Sequence, residues 1–337
     1  MDIKAPYLLF LGDAPDALSA KTAAGIAYWR PEICVGQLRL ADCQTTVGLK
    51  DITLEEAKEA GVRTMVIGVA NRGGVIPKSW VPTMLKAMDL GFDLASGLHT
   101  RLSSIAEVAA KARDKGRALH DARHPTREFE VGTGERRSGR RLLTVGTDCS
   151  IGKMYASLAI ANGLRQAGAN IDFRATGQTG ILIDGRGVSV DAVVSDFISG
   201  AVEWLAPAND AKHWDVIEGQ GSLFHPSYAG VSLGLLHGAQ PDALILCHEP
   251  TRPHMRGLPG RKMPDLRACL DLNVQLARLT SPTPVLAGIC VNTSHMHQPE
   301  GADYCRRLAE EFGVPAVDPV RDSVAPLIDH LQKAVAA

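Results

Sequence analysis

Short apolar runs alternate with amphipathic segments along the chain, beginning at Tyr7. An apolar run between turn residues predicts a buried strand, and apolar residues recurring at helical spacing predict a helix. In the N-terminal part, the predicted strands are 7–11, 33–35, 64–69, 92–95 and 118–120. The predicted helices there are a segment ending at Ala27, 54–60, 78–90 and 105–115. Strands that alternate with helices predict a parallel sheet of the doubly wound kind.

The same alternation resumes at Leu142 and continues to the C-terminal end. Its predicted strands are 142–145, 171–174, 215–218, 243–247, 285–291 and 316–317. Its predicted helices are 154–167, 191–205, 266–279, 304–312 and 323–335. The segment between the two parts is polar and interrupted by glycine, which is typical of a linker. We therefore expect an α/β chain with a doubly wound domain at 1–125, a linker at 126–141 and a larger α/β domain at 142–337.

Four arginines lie at the end of the predicted linker: Arg136, Arg137, Arg140 and Arg141. Such a cluster is consistent with a solvated connector. It is equally consistent with a patch that contacts phosphate, because the arginines directly precede strand 142–145. The sequence leaves both interpretations open.

Composition narrows the class of protein without indicating a reaction. The 337 residues carry 36 Lys plus Arg and 37 Asp plus Glu, for a formal net charge of −1. This balance argues against a broadly basic nucleic-acid binder, and no apolar run reaches the roughly eighteen residues of a membrane span. Seven scattered cysteines without a C-x-x-C pair are typical of reduced thiols. We therefore expect a cytoplasmic protein that binds neither nucleic acid nor a membrane.

The strongest local signal is an apolar strand that runs into a loop ending in Gly-Lys and then into a helix. This order is the context of a phosphate-binding loop, whose backbone N–H groups and lysine hold phosphate oxygens. The second domain is therefore predicted to be P-loop NTPase-like. The predicted phosphate-binding residues are Gly146, Thr147, Asp148, Cys149, Ser150, Ile151, Gly152 and Lys153.

Met154 stands where such loops usually carry a Ser or Thr that ligates Mg²⁺. A thioether is a poor ligand for this hard cation. The loop can still hold phosphates, but the substitution argues against an ATPase or kinase. We expect no metal, and His295-x-His297 lacks a third ligand at a suitable spacing.

The loop Gly146-Thr147-Asp148, followed after three residues by Gly152-Lys153, resembles that of dethiobiotin synthetase and related P-loop enzymes. A second match lies downstream, where Glu218-Gly219-Gln220-Gly221-Ser222 resembles their strand-end segment. In those enzymes the acidic residue belongs to the metal and phosphate site. Glu218 could have that role here, could take a proton from a substrate, or could cap the following turn.

Four motifs together identify a family: Gly146 to Met154, Thr176-Gly177-Gln178-Thr179-Gly180-Ile181, Glu218 to Ser222 and Gly288-Ile289-Cys290-Val291-Asn292-Thr293. With these motifs the chain resembles the D-glutamate N-acetyltransferase family, a P-loop family formerly of unknown function with a Rossmann-like N-terminal domain. The resemblance spans residues 1 to about 335, and Met154 is part of the family pattern. The resemblance implies transfer of an acetyl group from acetyl-CoA to D-glutamate. It also implies that N-acetyl-D-glutamate passes to a racemase in D-glutamate catabolism.

Acetyl transfer to an amine requires a base for the ammonium and an acid for the departing thiolate. Glu218 is the first candidate, because it follows a predicted strand at the edge where open α/β sheets bind ligands. His225 is the second and Asp196 the third. His225 could instead be a hydrogen-bonded residue of its loop.

Cys149 lies in the loop near a helix N-terminus and Lys153, an environment expected to favour its thiolate. An acetyl-cysteine intermediate would then give ping-pong kinetics. The alternative is a small side chain that merely fits the loop.

The carboxylates of the substrate require cations or polar donors. The basic loop that follows strand 243–247 carries Arg252 and Arg256, and could close over a dicarboxylate or CoA phosphates or remain an exposed crossover loop. Gln178, Thr179 and Asn292 follow other predicted strands and are further candidates for substrate binding.

Two other function classes remain open at this stage. One is an ATP-dependent ligase or kinase resembling dethiobiotin synthetase, against which Met154 argues. The other is a nucleotide-binding regulatory module without catalysis, against which the polar strand ends argue. We also expect a homodimer, the commonest assembly of such enzymes.

Overall fold

The computed structural model describes residues 2–125 and 127–336, and it confirms the predicted α/β class with two parallel sheets. Contacts group the chain into two compact units. Unit 1 comprises Met1–Glu128 and Gly177–Ala192, and unit 2 comprises Phe129–Thr176 and Val193–Ala337. The predicted linker 126–141 is divided between the two units, and residues 177–192, predicted to belong to the second domain, group with unit 1.

Unit 1 contains a five-stranded parallel sheet of order β2-β1-β3-β4-β5. Its strands are β1 (Tyr7–Gly12), β2 (Cys34–Arg39), β3 (Thr64–Ile67), β4 (Asp93–Ser96) and β5 (Leu119–Asp121). Its helices are α1 (Lys21–Trp29), α2 (Leu54–Glu59), α3 (Val81–Asp89), α4 (Ala106–Lys115) and the later α6 (Gln178–Asp184). The predicted Rossmann-like order of strands and helices is thus confirmed.

Helix α6 belongs to unit 1 although it follows β7 of unit 2 in the chain. The Arg30 guanidinium donates to the carbonyl of Ile183 at 3.3 Å, and Ile3 N donates to the carbonyl of Gly185 at 2.9 Å. Such long-range contacts are invisible to local periodicity, which explains why the sequence assigns this segment to the second domain.

The switch point of the unit 1 sheet, at the carboxyl ends of β1 and β3, is filled by the side chain of Trp80. A Cβ added to Gly12 would lie 2.5 Å from the Trp80 ring, and Trp80 Nε1 donates to Asp13 Oδ1 at 3.0 Å. Doubly wound folds bind dinucleotides at this crevice. In unit 1 the buried Trp80 indole occupies part of this crevice.

Unit 2 contains a six-stranded parallel sheet of order β11-β10-β9-β6-β8-β7. Its strands are β6 (Arg140–Gly146), β7 (Ile171–Arg174), β8 (Trp214–Ile217), β9 (Ala243–His248), β10 (Val285–Val291) and β11 (Ala316–Val317). Its helices are α5 (Lys153–Gln166), α7 (Ile198–Leu205), α8 (Ala229–Ala239), α9 (Leu266–Ala277), α10 (Gln298–Phe312) and α11 (Ala325–Ala336). Because all strands are parallel, the loops after them emerge at one edge of the sheet.

Two predicted helices of unit 2 differ from the structure by more than two residues at their start. The predicted helix 191–205 is α7 only from Ile198 onward, preceded by two 3₁₀ turns. The predicted helix 304–312 begins earlier, at Gln298, with a proline in its first turn, where the missing N–H is harmless.

The arginine cluster of the predicted linker lies at the start of β6, at the opposite end of this strand from the phosphate loop. Arg137 donates to carbonyl oxygens at the C-terminal ends of α7 and α8, and Arg141 is fully buried and donates to the carbonyl oxygens of Arg137 and Ser138. Both guanidinium groups are thus engaged by the protein's own carbonyl oxygens, which favours a structural role over contact with phosphate. Arg137 holds the ends of two helices.

None of the helices formed by residues 2–125 and 127–336 is long and apolar enough to span a membrane.

Candidate active site

The predicted phosphate loop connects β6 to α5, between Gly146 and Lys153. Two of its residues adopt left-handed backbone conformations, Ser150 with φ 52° and Gly152 with φ 102°. For a residue other than glycine this conformation costs about 1–3 kcal/mol and is concentrated at functional sites. Left-handed residues directly before a helix N-terminus are typical of anion-binding turns. The local backbone therefore supports the predicted role in phosphate binding.

Lys153 lies inside the loop. Its side chain is buried, and Nζ donates to the carbonyl oxygen of Asp148 at 2.7 Å. Burial lowers the pKa of this ammonium group. The cation is thus held at the centre of the loop rather than extended into solvent.

Asp148 connects the phosphate loop to the segment after β9. Its buried carboxylate accepts from Cys149 N at 2.7 Å through Oδ1. Through Oδ2 it accepts from the Arg252 guanidinium at 3.0 Å and from Arg256 N at 2.7 Å. A buried carboxylate needs such donors, and a cation, to remain charged.

Arg252, predicted to bind substrate, has its guanidinium on the phosphate loop. Besides Asp148, it donates to the carbonyl oxygens of Cys149 at 2.7 Å and Ser150 at 2.9 Å. It also donates to Glu249 Oε2 at 2.6 Å. The planar guanidinium therefore fixes the outer side of the loop, a role that a point charge cannot fill.

Arg256 is held by its backbone, with its side chain exposed. Its N–H donates to Asp148 and its carbonyl oxygen accepts from His225 Nε2 at 3.0 Å. The positive charge of Arg256 acts on Cys149, where it opposes the rise of the thiol pKa. An exposed guanidinium beside the loop is available to a ligand carboxylate or phosphate.

His225 is buried and uses both ring nitrogens. Nε2 donates to the carbonyl oxygen of Arg256, and Nδ1 accepts from Ser227 N at 3.2 Å. These partners suit a neutral ring that fixes the loop. The arrangement favours the structural interpretation of this histidine over its role as a catalytic acid or base.

The prediction of a thiolate at Cys149 is wrong. Burial raises the pKa of this thiol, and the charge of Lys153 opposes that rise only in part. Donor atoms of Asp148, Cys149 and His225 lie within 4.8 Å of one another, as a metal would require. Both His225 nitrogens are already hydrogen-bonded, so this ring has no lone pair free for an ion and the trio lacks its third ligand.

Glu218 lies directly after β8 and is buried. Its Oε2 accepts from Thr176 N at 3.0 Å, and its Oε1 accepts from Gln220 Nε2 at 3.2 Å. Its own carbonyl oxygen accepts from Thr176 Oγ1 at 2.6 Å. These contacts join the carboxyl ends of β7 and β8 and hold the carboxylate at the edge of the sheet from which the phosphate loop emerges.

Gly219 allows the chain to pass directly over β6. A Cβ at this position would lie 1.7 Å from the carbonyl oxygen of Thr144, while Gly219 N donates to Thr144 Oγ1 at 2.9 Å. We expect Gly219→Ala to destabilise the protein by more than about 2 kcal/mol, because neither backbone can give way. The control is Gly230→Ala in α8, where a Cβ meets nothing within 4 Å. Equal denaturant midpoints for the two variants would contradict this expectation.

His248 and Thr147 form a contact that the sequence analysis missed. His248 ends β9, and its Nδ1 lies 3.1 Å from Thr147 Oγ1. Burial, with the charge of Arg252 as a smaller cause, lowers the pKa of His248 to about 4. The ring is therefore neutral near pH 7, and its Nδ1 shares one hydrogen bond with Thr147 Oγ1. The sequence feature that could have indicated this contact is a histidine directly after five apolar strand residues.

The remaining predicted site residues do not all lie at the phosphate loop. Asn292 lies beside the loop, with its Cβ 3.9 Å from the position of a Cβ on Gly152. Asp196 is exposed on a 3₁₀ turn before α7, and within residues 2–125 and 127–336 no hydrogen bond or ion pair joins it to the phosphate loop. Gln178 and Thr179 begin α6 and belong to unit 1.

Two domain families match the chain in order. A family described as "Domain of unknown function (DUF1611_N) Rossmann-like domain" matches residues 38–125. A family described as "Domain of unknown function (DUF1611_C) P-loop domain" matches residues 130–328.

Relatives match over nearly the whole length. A protein of Tritonibacter scottomollicae named D-glutamate N-acetyltransferase is 53% identical over 329 residues, which cover 98% of this chain and 99% of the relative. A protein of a Pseudoalteromonas species with the same name is 49% identical over 331 residues, covering 98% and 100%. The crystal structure of a DUF1611 family protein from Anabaena variabilis superposes with a TM-score of 0.83 at 30% identity, covering 97% of this chain and 99% of that one. The chain therefore belongs to the DUF1611 family, in agreement with the membership that its motifs predict.

Proposed function

We propose that the protein transfers the acetyl group of acetyl-CoA to the amino group of D-glutamate. The observation that carries this proposal is the 53% identity, over 98% of the chain, to a relative named D-glutamate N-acetyltransferase. The phosphate loop supports it, because coenzyme A carries a pyrophosphate and a ribose phosphate. Met154 supports it as well, since a loop without the usual hydroxyl suits a phosphate ligand that comes without Mg²⁺.

The reaction needs one proton acceptor and one proton donor. The substrate ammonium loses a proton to the acceptor, and its nitrogen attacks the thioester carbonyl carbon. The carbon–sulfur bond then breaks, the nitrogen loses its second proton to become a neutral amide, and the CoA thiolate takes a proton. Glu218 is favoured as the proton acceptor over His225, because the unprotonated nitrogen of His225 already accepts from Ser227 N, whereas a carboxylate offers about four lone-pair sites. The Glu218 carboxylate lies at a strand end of the P-loop sheet, where ligands of this fold bind.

The cations around the loop suggest a division of roles. Lys153 and the loop backbone would hold CoA phosphate, and the exposed Arg256 would hold a substrate carboxylate or a further phosphate. Asn292 lies close enough to Gly152 to contact the same ligand. Gln178 and Thr179 remain candidates for substrate binding on unit 1.

The experiment that tests the function supplies purified protein with acetyl-CoA and D-glutamate and follows the release of free thiol. L-glutamate and ATP serve as alternative substrates. Thiol release that depends on D-glutamate is expected. ATP hydrolysis without thiol release would instead indicate a ligase or kinase, and binding without either reaction would indicate a regulatory module.

Glu218→Gln is expected to lower kcat by about 10²–10⁴-fold, the usual contribution of a general base. The amide keeps the shape of the carboxylate and an acceptor for Thr176 N–H, but it cannot take the substrate proton. The KM for acetyl-CoA should change little. Asp196→Asn is the matched control, because Asp196 is an exposed carboxylate on the turn before α7. A larger loss of kcat in Asp196→Asn than in Glu218→Gln would transfer the role to Asp196.

Cys149→Ala is expected to retain most of the activity. Burial raises the pKa of the Cys149 thiol, so the nucleophilic thiolate is scarce near neutral pH. Direct transfer from acetyl-CoA to the amine therefore needs no acetyl-cysteine. Intact mass spectrometry after incubation with acetyl-CoA alone should show no added acetyl group. An acetylated enzyme that disappears on addition of D-glutamate would establish the covalent route.

The proposal extends to the next reaction. The product, N-acetyl-D-glutamate, keeps its configuration, and we propose that a racemase acting on N-acetylated glutamate uses it next. Coupling the protein to such a racemase and following optical rotation would test this step.

A further inference from the structure

We propose that Asp172, His213 and Asp215 form a binding site for a divalent transition-metal ion such as Zn²⁺. Asp172 lies in β7 and Asp215 in β8, where the two residues are direct partners across the parallel ladder. His213 immediately precedes β8. The three side chains therefore meet at the start of these strands, at the opposite end from the phosphate loop, and the proposal is independent of acetyl transfer.

The burial and the missing hydrogen bonds of the His213 ring point to a ligand. Its side chain is 4% exposed, and neither ring nitrogen has a hydrogen-bond partner. Buried polar side chains are hydrogen-bonded in the large majority of cases, and an unpaired one costs about 1–3 kcal/mol. A bound cation would satisfy one of the two nitrogens of this ring.

The distances fit metal coordination better than hydrogen bonding. His213 Nε2 lies 3.5 Å from Asp172 Oδ2 and 3.4 Å from Asp215 Oδ1. Both separations exceed the usual range for a hydrogen bond to oxygen. Two ligand atoms of a tetrahedral zinc ion lie about 3.3–3.4 Å apart, given bonds of about 2.0–2.1 Å. An ion between the three atoms would therefore need little rearrangement.

Arg174 orients the two carboxylates. Its Nε donates to Asp215 Oδ1 at 2.7 Å and its terminal nitrogen to Asp172 Oδ2 at 2.9 Å. Outer hydrogen bonds of this kind hold metal-binding carboxylates in place. The net charge of the site is one negative charge, from two carboxylates, one guanidinium and a neutral imidazole. The site attracts a dication, but Arg137 and Arg141 also act on Asp215, so we expect micromolar rather than nanomolar affinity.

The types of ligand atom in this site favour particular metals. One imidazole nitrogen and two carboxylate oxygens suit Zn²⁺, Co²⁺ or Ni²⁺ better than Mg²⁺ or Ca²⁺, which prefer oxygen alone. The Asp172 side chain is 53% exposed, so water can reach the fourth coordination position. A bound ion would connect the edge strand β7 to β8 and stabilise unit 2.

The test is calorimetric titration of the metal-stripped full chain with Zn²⁺, together with Co²⁺ absorption spectra. We expect one Zn²⁺ per chain and a rise in Tm, with affinity reduced at least tenfold in Asp172→Asn and in His213→Gln. If His213→Gln fails to fold, Asp172→Asn still tests the site, because it changes an exposed side chain. His297→Ala, which removes an exposed histidine, is the matched control and should leave affinity unchanged.

Cys149→Ser separates this site from the trio at the phosphate loop. Expected are unchanged Zn²⁺ affinity in this variant and a Co²⁺ spectrum without a thiolate charge-transfer band. A thiolate band that disappears in Cys149→Ser would overturn the proposal and place the ion at the loop. Lack of saturable binding by millimolar Zn²⁺, or binding that Asp172→Asn and His213→Gln both leave intact, would overturn it as well.

Discussion

Arg252→Ala is expected to weaken acetyl-CoA binding and to lower kcat/KM by about a hundredfold, equivalent to about 2.7 kcal/mol. The substitution removes the donors to two loop carbonyl oxygens and leaves the Asp148 carboxylate buried beside Lys153 without its guanidinium partner. Loss of one partner from a buried charge pair typically costs several kcal/mol. The strained Ser150 conformation would relax, because the carbonyl oxygen that Arg252 holds belongs to that residue.

The control for Arg252→Ala is Arg261→Ala, which removes an exposed arginine from the same loop. Arg252→Lys should give an intermediate loss, because an ammonium group cannot donate to two carbonyl oxygens in a fixed plane. The readouts are acetyl-CoA affinity by calorimetry and the KM for each substrate. A raised KM for D-glutamate with unchanged acetyl-CoA affinity would instead support the sequence-based assignment of Arg252 to the substrate carboxylate. Equal kinetics of Arg252→Ala and Arg261→Ala would contradict both roles.

The sequence predicts the class of fold because its strands are short apolar runs between turn residues. The five predicted strands of unit 1 all appear, with bounds that differ by a few residues. Helix α8 is not among the predicted helices. Its sequence is apolar on all sides, with Gly230, Gly234 and Gly238 spaced four apart, so it lacks the polar face that periodicity detects. Gly238 lets α8 approach α7, since a Cβ there would lie 2.4 Å from the Ser199 carbonyl oxygen.

The candidate site was predictable where it is local and not where it depends on tertiary contacts. The residues from Gly146 to Lys153 are contiguous, and the strand and helix around them are visible in the pattern. Arg252 follows the loop by about a hundred residues, so its guanidinium position depends on how β6 and β9 pair. The same limit explains the error at Cys149, because sequence proximity to Lys153 does not reveal how deeply the thiol is buried.

Arg137 lies in the segment predicted to be a linker, yet its side chain stabilises the fold. Its guanidinium donates to the carbonyl oxygens of Glu203 at 2.9 Å and Ala206 at 2.7 Å, at the end of α7. It also donates to the carbonyl oxygen of Gly238 and, at 3.4 Å, to Gln240 Oε1, at the end of α8. Burial lowers the pKa of Arg137 to about 10, so the side chain is still charged at neutral pH. The Arg137 guanidinium thus stabilises the C-terminal ends of two helices, which carry partial negative charge.

Arg137→Ala is therefore expected to lower the free energy of unfolding by about 3 kcal/mol, because several buried carbonyl oxygens lose a charged donor at once. For a unit of this size that corresponds to a Tm about 6–12 °C lower. Arg140→Ala is the control from the same cluster: Arg140 lies over the Trp214 ring at 5.6 Å, a contact worth about 1 kcal/mol or less. Because β6 carries the phosphate loop at its other end, folded Arg137→Ala should keep its acetyl-CoA affinity. A variant with unchanged Tm and weakened acetyl-CoA binding would contradict the structural role and restore the phosphate-contacting one.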